Sequence, residues 1–571
     1  MNIKKILLLL ITLVIAGCGG GGGGSSPPPA PFVLISTSPS SGAAMVARNS
    51  TISATFSAAI DTRSINANTV QLIGPEGNVI SSALSSSGSM ITVTPVGTAL
   101  AGGTQYTMKL GSTITDSTGR TLGAPASITF TTSAQAWSPV SNVSAVKHYF
   151  GGMAPLVAAD AAGSTMVLWH DQSGSSDALY SRRLTAGSST WTDTAMVSSP
   201  DPSLSGPNGE SIVLASNGDA YAGWVSFVTG QSSAVFRFSH YNATTNIWGS
   251  AETVSVLPAG GTVENVRLVT GANGKIVSIA TGYGIAGGNG IFSSTFDPAT
   301  HTWSPTQRII TFNPNDYVMG PIAKSDSNGN VVMTWSQQYQ QYAAYFNATD
   351  GQWYQSQVIE PEALAFNAPT MDGIAIDGNG VATITWGYTN AYRTDAVTIY
   401  HEAQVVRFNP ATNKWSNVAS VLQEAGQGHY VGGPVAVADA AGNTTVILEV
   451  DGELAYARIS SNGTSWNPPQ VFTPASLKGT LSGGYSAVVD VTGNVTIVFS
   501  SQLMTAMQYS ATTKQWQAPV TMGMPSSGTS VYFNRPIVTV DGSGAVTAAW
   551  YAWNSTGLGQ DQFVVSQARL M

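Results

Sequence analysis

Two residue series run in step through most of this 571-residue chain: Trp137, Trp191, Trp248, Trp303, Trp353, Trp415, Trp466 and Trp516, and between them Gly163, Gly218, Gly274, Gly329, Gly380, Gly442, Gly493 and Gly544. A period of about 50 to 60 residues sustained this long means stacked copies of one small unit, each too small to bury its own apolar face. The glycines close turns such as Asp160-Ala-Ala-Gly163, Asp326-Ser-Asn-Gly329, Asp377-Gly-Asn-Gly380 and Asp541-Gly-Ser-Gly544. Six residues later stands Trp169, Trp224, Trp335, Trp386 or Trp550, replaced by Ala280, Leu448 and Phe499 in the remaining units. The runs between, such as Thr165-Met-Val-Leu168, are apolar on both faces and read as strands buried between neighbouring sheets.

Four short strands per unit at this period predict a β-propeller of eight blades. The last unit ends at Met571 after its third strand, whereas Ala136-Trp-Ser-Pro139, which matches Thr302-Trp-Ser-Pro305, precedes any glycine turn. The N-terminal strand is therefore expected to complete the last blade and close the ring, leaving no open sheet edge there. Residues 134–571 are assigned to this domain.

The N-terminus has another character. Met1 to Lys5 is short and basic, Ile6 to Ala16 is apolar, and Ile15-Ala-Gly-Cys18 follows. An apolar run of eleven residues is shorter than the roughly 20 that span a bilayer. The segment resembles a bacterial lipoprotein signal with its lipobox, which implies removal of residues 1–17 and acylation of Cys18, the only cysteine in the chain. Several acyl chains on one residue would hold a membrane stably. Gly19 stands where such lipoproteins carry an aspartate for inner-membrane retention, so the outer membrane is favoured if the cell is Gram-negative. Residues 18–30, rich in Gly, Ser and Pro, form a tether.

Residues 31–133 carry alternating segments, Thr51 to Phe56, Thr69 to Ile73, Met90 to Thr94, Tyr106 to Leu110 and Ser127 to Thr131, that predict an antiparallel β-sandwich. With Ser38-Pro-Ser-Ser-Gly42, Leu100-Ala-Gly-Gly-Thr-Gln-Tyr106 and Asp116-Ser-Thr-Gly119, this segment resembles the SbsA-type bacterial Ig-like domain. The resemblance implies a spacer or adhesion module. The fold class is thus all-β, an Ig-like sandwich followed by the closed propeller.

Charged residues make up only 9% of the chain, and the net charge of −8 becomes −10 once the signal with Lys4 and Lys5 is removed. No basic footprint for nucleic acid exists. The turns Phe296-Asp-Pro-Ala-Thr-His-Thr-Trp303 and Phe408-Asn-Pro-Ala-Thr-Asn-Lys-Trp415 resemble those of kelch repeats, although the paired glycines of that family are missing. The Asp-x-x-Gly turns offer one or two carboxylates where calcium takes six to eight oxygens, so they read as turns, and no metal or cofactor is expected.

Each Trp-to-Gly interval is 26 to 28 residues, while the Gly-to-Trp intervals run 28, 30, 29, 24, 35, 24 and 23. The surplus is placed in the loops between the second and third strands, on the face around the channel. The longest such loop, after Trp386, carries Tyr388, Tyr392, Arg393, Asp395, Tyr400, His401 and Glu402, and this is the leading candidate site. His170 and Asp171 open the first-unit loop, and Tyr317, Tyr430, Tyr532 and Arg535 lie on interblade loops at the same rim. Tyrosines with a few polar groups suit carbohydrate or peptide recognition; the competing reading makes them loop-packing residues. The repeated tryptophans read as blade packing.

Serine-nucleophile, zinc-protease and phosphate-loop motifs are all missing. One enzyme alternative is a sialidase-like glycoside hydrolase, because Phe533-Asn-Arg-Pro536 loosely resembles the arginine motif of that family. It would use Arg393, Arg535, Tyr388, Asp171 and Glu402. The sequence therefore points to a lipid-anchored envelope protein, facing periplasm or exterior, whose propeller binds a glycan, polymer or protein partner without catalysis. A purely structural envelope or adhesion component is the other alternative.

Overall fold

In the computed structural model, the described residues are 30–46, 50–74, 77, 79–95, 100, 102–132, 136–144, 154–173, 176–198, 201–254, 257, 261–284, 288–316, 318–338, 340–355, 370–392, 399–425, 430–461, 463–481, 484–501, 503–511, 513–522, 531–533, 536–554 and 562–570. Among them every regular element is a strand apart from three 3-10 turns. None of these is a helix long and apolar enough to cross a membrane.

The N-terminal domain is a two-sheet sandwich. One sheet orders Leu34–Ser38, Ile52–Phe56, Met90–Pro95 and Ser82–Ser87; the other orders Ala43–Val46, Ala126–Thr132, Gln105–Leu110, Val70–Ile73 and Val79–Ile80. Alternation decides which side faces in: Ile52, Ala54 and Phe56 are buried, as are Tyr106, Met108 and Leu110, and they meet in one core with Ile91, Val93 and Phe130. Asp116 ties down the Asp116–Gly119 turn. Its carboxylate accepts the amides of Thr118 and Arg120 and the Arg120 Nε, each at 2.7–2.9 Å.

From Ser141 onward the described strands form eight antiparallel sheets of β-propeller type, one per repeat. Their innermost strands, in chain order, are Leu156–Ala159, Asn208–Leu214, Thr262–Thr270, Val318–Ser325, Thr370–Ile376, Val435–Ala438, Tyr485–Val489 and Ile537–Val540. Each packs on the next, and Ile537–Val540 packs on Leu156–Ala159. The second strands are buried almost throughout, as in Ala220–Phe227 and Val495–Ser500, because both faces of each sheet meet a neighbour.

Both tryptophan series are packing residues. Trp169, Trp224, Trp335, Trp386 and Trp550 are at most 3% exposed. Trp248, Trp303, Trp415 and Trp516 sit on two-residue strands opposite Tyr241, Phe296, Phe408 and Tyr509, with ring centroids 5.0–5.7 Å apart. The N-terminal segment pairs with the last strand, Gln562–Leu570: Ser141 lies opposite Gln567, Asn142 opposite Ser566, and Trp137 opposite Leu570. Ser138 donates its amide to Arg569 O at 2.7 Å, as Ser304 does to Thr295 O at 2.8 Å and Ser416 to Arg407 O at 2.7 Å.

One expectation changes. The stretch after Trp386, read as a long loop, continues the sheet: Ala382–Tyr392 and Ile399–Asn409 are paired strands of eleven residues each. The extra length of the fifth repeat has gone into hydrogen-bonded hairpin. His170 and Asp171 likewise belong to the strand Thr165–Ser173.

Candidate functional site

The predicted rim residues fall into three groups. Cys18, Tyr317, Arg393, Asp395 and Arg535 lie outside the described residues. Tyr388, Tyr392, Tyr400 and Tyr532 are placed on strands, with Tyr388 in register with Glu402, Tyr392 with Ile399 and Tyr532 with Trp553. Tyr430 is 47% exposed, and its amide donates to the Asp451 carboxylate at 2.8 Å. His401 and Glu402 are 0% and 2% exposed, and Gln404 Nε2 donates to Glu402 at 2.8 Å. Glu402 is in the fifth sheet and Asp171, 5% exposed, in the first, with three sheets between them along the chain. The carboxylates of the hydrolase alternative are thus buried in separate sheets.

The structure instead builds a polar cluster on His170. Its Nδ1 lies 3.2 Å from Glu210 Oε1 on the innermost strand of the next sheet, and its Nε2 is hydrogen-bonded to Asp177 on its own hairpin. Burial would lower the His170 pKa, but the Glu210 and Asp177 carboxylates together raise it above its ordinary value. With a carboxylate oxygen facing each ring nitrogen, the protonated imidazole is favoured, and in that form it links two sheets. Tyr551, at the repeat position of His170 in the last unit, sends its hydroxyl toward His170 O at 3.5 Å. Burial, reinforced by the Glu210 charge, raises the Tyr551 pKa and keeps the phenol protonated.

Sequence reasoning singled out His170 and missed its partners. A signal existed for Glu210: it stands five residues before its turn, where Pro155, Pro321, Pro434 and Pro536 stand in other repeats. Asp177 carried none, because pairing across a hairpin depends on register. Beside the cluster a cavity of about 290 Å³ is lined by Asp177, Ser198, Asp201, Trp224, Ser226 and Arg237. Nearby on innermost strands, burial lowers the Arg267 pKa against the opposing pull of Glu210. Lys324 has exposed surface, yet desolvation lowers its pKa.

At the other end of the sheets lie the Asp-x-x-Gly turns. The Asp326, Asp377, Asp490 and Asp541 Oδ1 atoms each accept two backbone amides, two and four residues ahead, at 2.8–3.1 Å. These are Asx turns with one carboxylate oxygen already committed, which explains the motif without a cation. The second oxygen reaches the next unit. A Cβ built on Gly380 would stand 3.5 Å from Asp326 Oδ2, on Gly442 3.4 Å from Asp377, on Gly493 3.0 Å from Asp439, and on Gly163 3.9 Å from Asp541. Two grooves open beside these turns. The one between the fifth and sixth sheets measures about 890 Å³, and the one between the sixth and seventh about 520 Å³.

Residues 28–132 match the bacterial Ig-like domain family. No curated protein sequence matches the chain significantly. Among solved structures it is similar to the polysaccharide lyase Uly1, with 11% identity, TM-score 0.43 and coverage of 76% of this chain and 99% of that one. It is also similar to the intramolecular trans-sialidase from Ruminococcus gnavus, with 11% identity, TM-score 0.31 and coverage of 65% and 95%. A third is the six-bladed β-propeller lectin of Aleuria aurantia, described for its fucose recognition, with 14% identity, TM-score 0.30 and coverage of 67% and 99%. Likeness at these levels carries no argument about activity. What the chain contains is therefore a bacterial Ig-like domain at its N-terminal side and a β-propeller beyond it.

Proposed function

We propose that this chain is a lipid-anchored cell-envelope protein in which an SbsA-type Ig-like spacer presents an eight-bladed propeller, closed by its N-terminal strand, for non-catalytic binding of a glycan, polymer or protein. Closure is supported by the approach of the Asp541 carboxylate to Gly163, 3.9 Å from where a Cβ would stand, which repeats at the first-to-last junction what Asp326, Asp377 and Asp439 do at internal ones. The tether and Cys18 support anchoring by sequence alone.

For binding without turnover the carrying observation is the fate of the carboxylates. Asp171 and Glu402 are buried on separate sheets, and Glu402 is engaged by Gln404. Most glycosidases need two carboxyl groups flanking one bond, about 5 to 10 Å apart and open to substrate, the sialidases with their tyrosine nucleophile being an exception. The test is a panel of glycans and envelope polymers against the immobilised full-length chain, beside a variant with Tyr388, Tyr392 and Tyr400 changed to alanine. Saturable binding supports recognition, and its loss in the variant assigns the fifth-sheet hairpin to it. A folded protein that binds nothing in the panel would refute glycan or polymer recognition.

A further inference from the structure

The two grooves at the Asp-turn end are outside the rim that the sequence favoured, and they are related by the repeat. Asp377 and Asp439 open corresponding turns. Arg407 and Arg458 occupy one repeat position, in register with Thr383 and Thr445, each three residues beyond the turn glycine. Each arginine faces its own aspartate across the groove wall, Arg407 Nη2 at 3.8 Å from Asp377 and Arg458 Nη2 at 3.5 Å from Asp439. We propose that these grooves form one continuous binding site for an acidic polysaccharide. The inference rests on the recognition reading above and gives it a ligand class and a location.

Continuity comes from Ser465, on the turn leading to Trp466, which lines both grooves. Both volumes fall in the roughly 300–1,000 Å³ range of ligand pockets. Two joined, repeated pockets suit a repeating chain better than a single small molecule. The lining is rich in hydroxyl and amide groups, among them Asn409, Ser416 and Ser461 in the first groove and Asn443, Ser460 and Asn467 in the second. Trp415 and Trp466 give the first groove aromatic surface, and Tyr509, under the Arg458 guanidinium at 4.8 Å, gives it to the second. Hydroxyls, amides and aromatic faces together fit sugar rings.

Charge selects the acidic kind. Each groove is lined by one carboxylate and two cations, Asp377 with Arg407 and Lys414, and Asp439 with Arg458 and Lys514, an excess of one positive charge in each on a chain of net charge −8. The two aspartate side chains are only 2% and 5% exposed and are tied to backbone amides, whereas the arginines keep 20% and 18%. The Arg407 ion pair is long at 3.8 Å and its side chain keeps 20% exposure, so guanidinium donors remain for an incoming carboxylate. Burial also lowers the Arg407 pKa, although the Asp377 charge opposes it, and an added anion would stabilise the cation further. A neutral polymer would leave these cations unmatched.

The probe is polygalacturonate, which carries a carboxylate on every sugar, with dextran as the neutral control, titrated onto the immobilised full-length chain. Binding of polygalacturonate but not dextran is expected, weakening as salt rises. Arg407→Gln with Lys414→Gln, or Arg458→Gln with Lys514→Gln, should each weaken it by about tenfold, one charge-assisted contact being of that size. Lys414→Gln and Lys514→Gln alone, at surface positions, should weaken it measurably with unchanged melting, which separates binding from folding. Polygalacturonate binding that survives all four substitutions, or equal binding of dextran, overturns the inference. If polygalacturonate is not bound while another polymer in the panel is, the inference falls and the recognition reading stands. If no polymer binds the folded chain, both fall.

Discussion

Gly542 lies where the last Asp turn meets the first, and Gly378 occupies the same place between the fifth and sixth sheets. Gly542 donates its amide to Asp160 O at 3.2 Å, and Gly378 donates to Asp439 O at 3.4 Å. A Cβ on Gly542 would point at the Ala161 carbonyl, 2.7 Å from its carbon and 2.8 Å from Ala161 Cα; one on Gly378 would meet Ala440 C and Cα at 2.9 Å. Neither glycine has a positive φ, so Gly→Ala at an uncrowded site of this kind would stabilise by about 0.4–1 kcal/mol through the unfolded state. Here the methyl meets backbone, which cannot rotate away, and overpacking of this sort costs about 1–3 kcal/mol. The hydrogen bond that the forced separation weakens adds about 1 kcal/mol. The balance predicts about 2 kcal/mol lost for Gly542→Ala, and a similar loss for Gly378→Ala. All fourteen tryptophans lie from Trp137 onward, so their fluorescence during guanidinium unfolding follows the propeller and not the Ig-like domain. With a denaturant slope of about 5 kcal/mol/M the midpoint should fall by about 0.4 M in both variants. If Gly378→Ala lowers the midpoint while Gly542→Ala leaves or raises it, the first and last units are not in contact and the closed ring is wrong.

Because the His170 pKa is raised in the folded protein, its linkage to Glu210 and Asp177 stabilises fully below the ordinary value of 6.5 and is lost as pH rises through the elevated one. The melting-temperature gap between the wild type and His170→Gln should therefore be widest below pH 6.5 and narrow above it; a gap that widens with pH would contradict the cluster. For Asp116 burial acts upward, but the Thr118 and Arg120 hydrogen bonds outweigh it and bring the pKa down to about 2. Its contribution is present above the ordinary value of 3.8 and disappears as pH falls towards 2, so hydrogen exchange in the Ig-like domain should separate the wild type from Asp116→Asn at pH 5 and not at pH 2. Cys18→Ser should abolish incorporation of labelled palmitate and release from membranes only by detergent; unchanged labelling would remove the lipid anchor from the account.

What the sequence revealed was whatever is encoded locally and repeated. Asp-x-x-Gly marks an Asx turn whose hydrogen bonds span four residues, and the aromatic six positions after the glycine marks a strand buried on both faces. Those two signals located the sheets, and the alternation of Ile52, Ala54 and Phe56 located the sandwich. The fifth repeat misled because the 35-residue interval from Gly380 to Trp415 reads as a longer loop, while hairpin length depends on cross-strand pairing that spacing does not carry. The His170 cluster was half legible for a related reason. His170 and Glu210 are 40 positions apart in the chain and meet only because neighbouring sheets pack face to face. The grooves were hidden more deeply, since their arginines sit at one repeat position in only some units, where a search for repeated motifs sees irregularity.

We propose recognition without turnover. Its most direct test is to incubate every polymer the full-length chain binds with an excess of the protein and to follow chain length and new chain ends. Bound polymer should be recovered intact. Shortened chains, with the activity lost in Glu402→Gln, would contradict it and make the propeller a hydrolase.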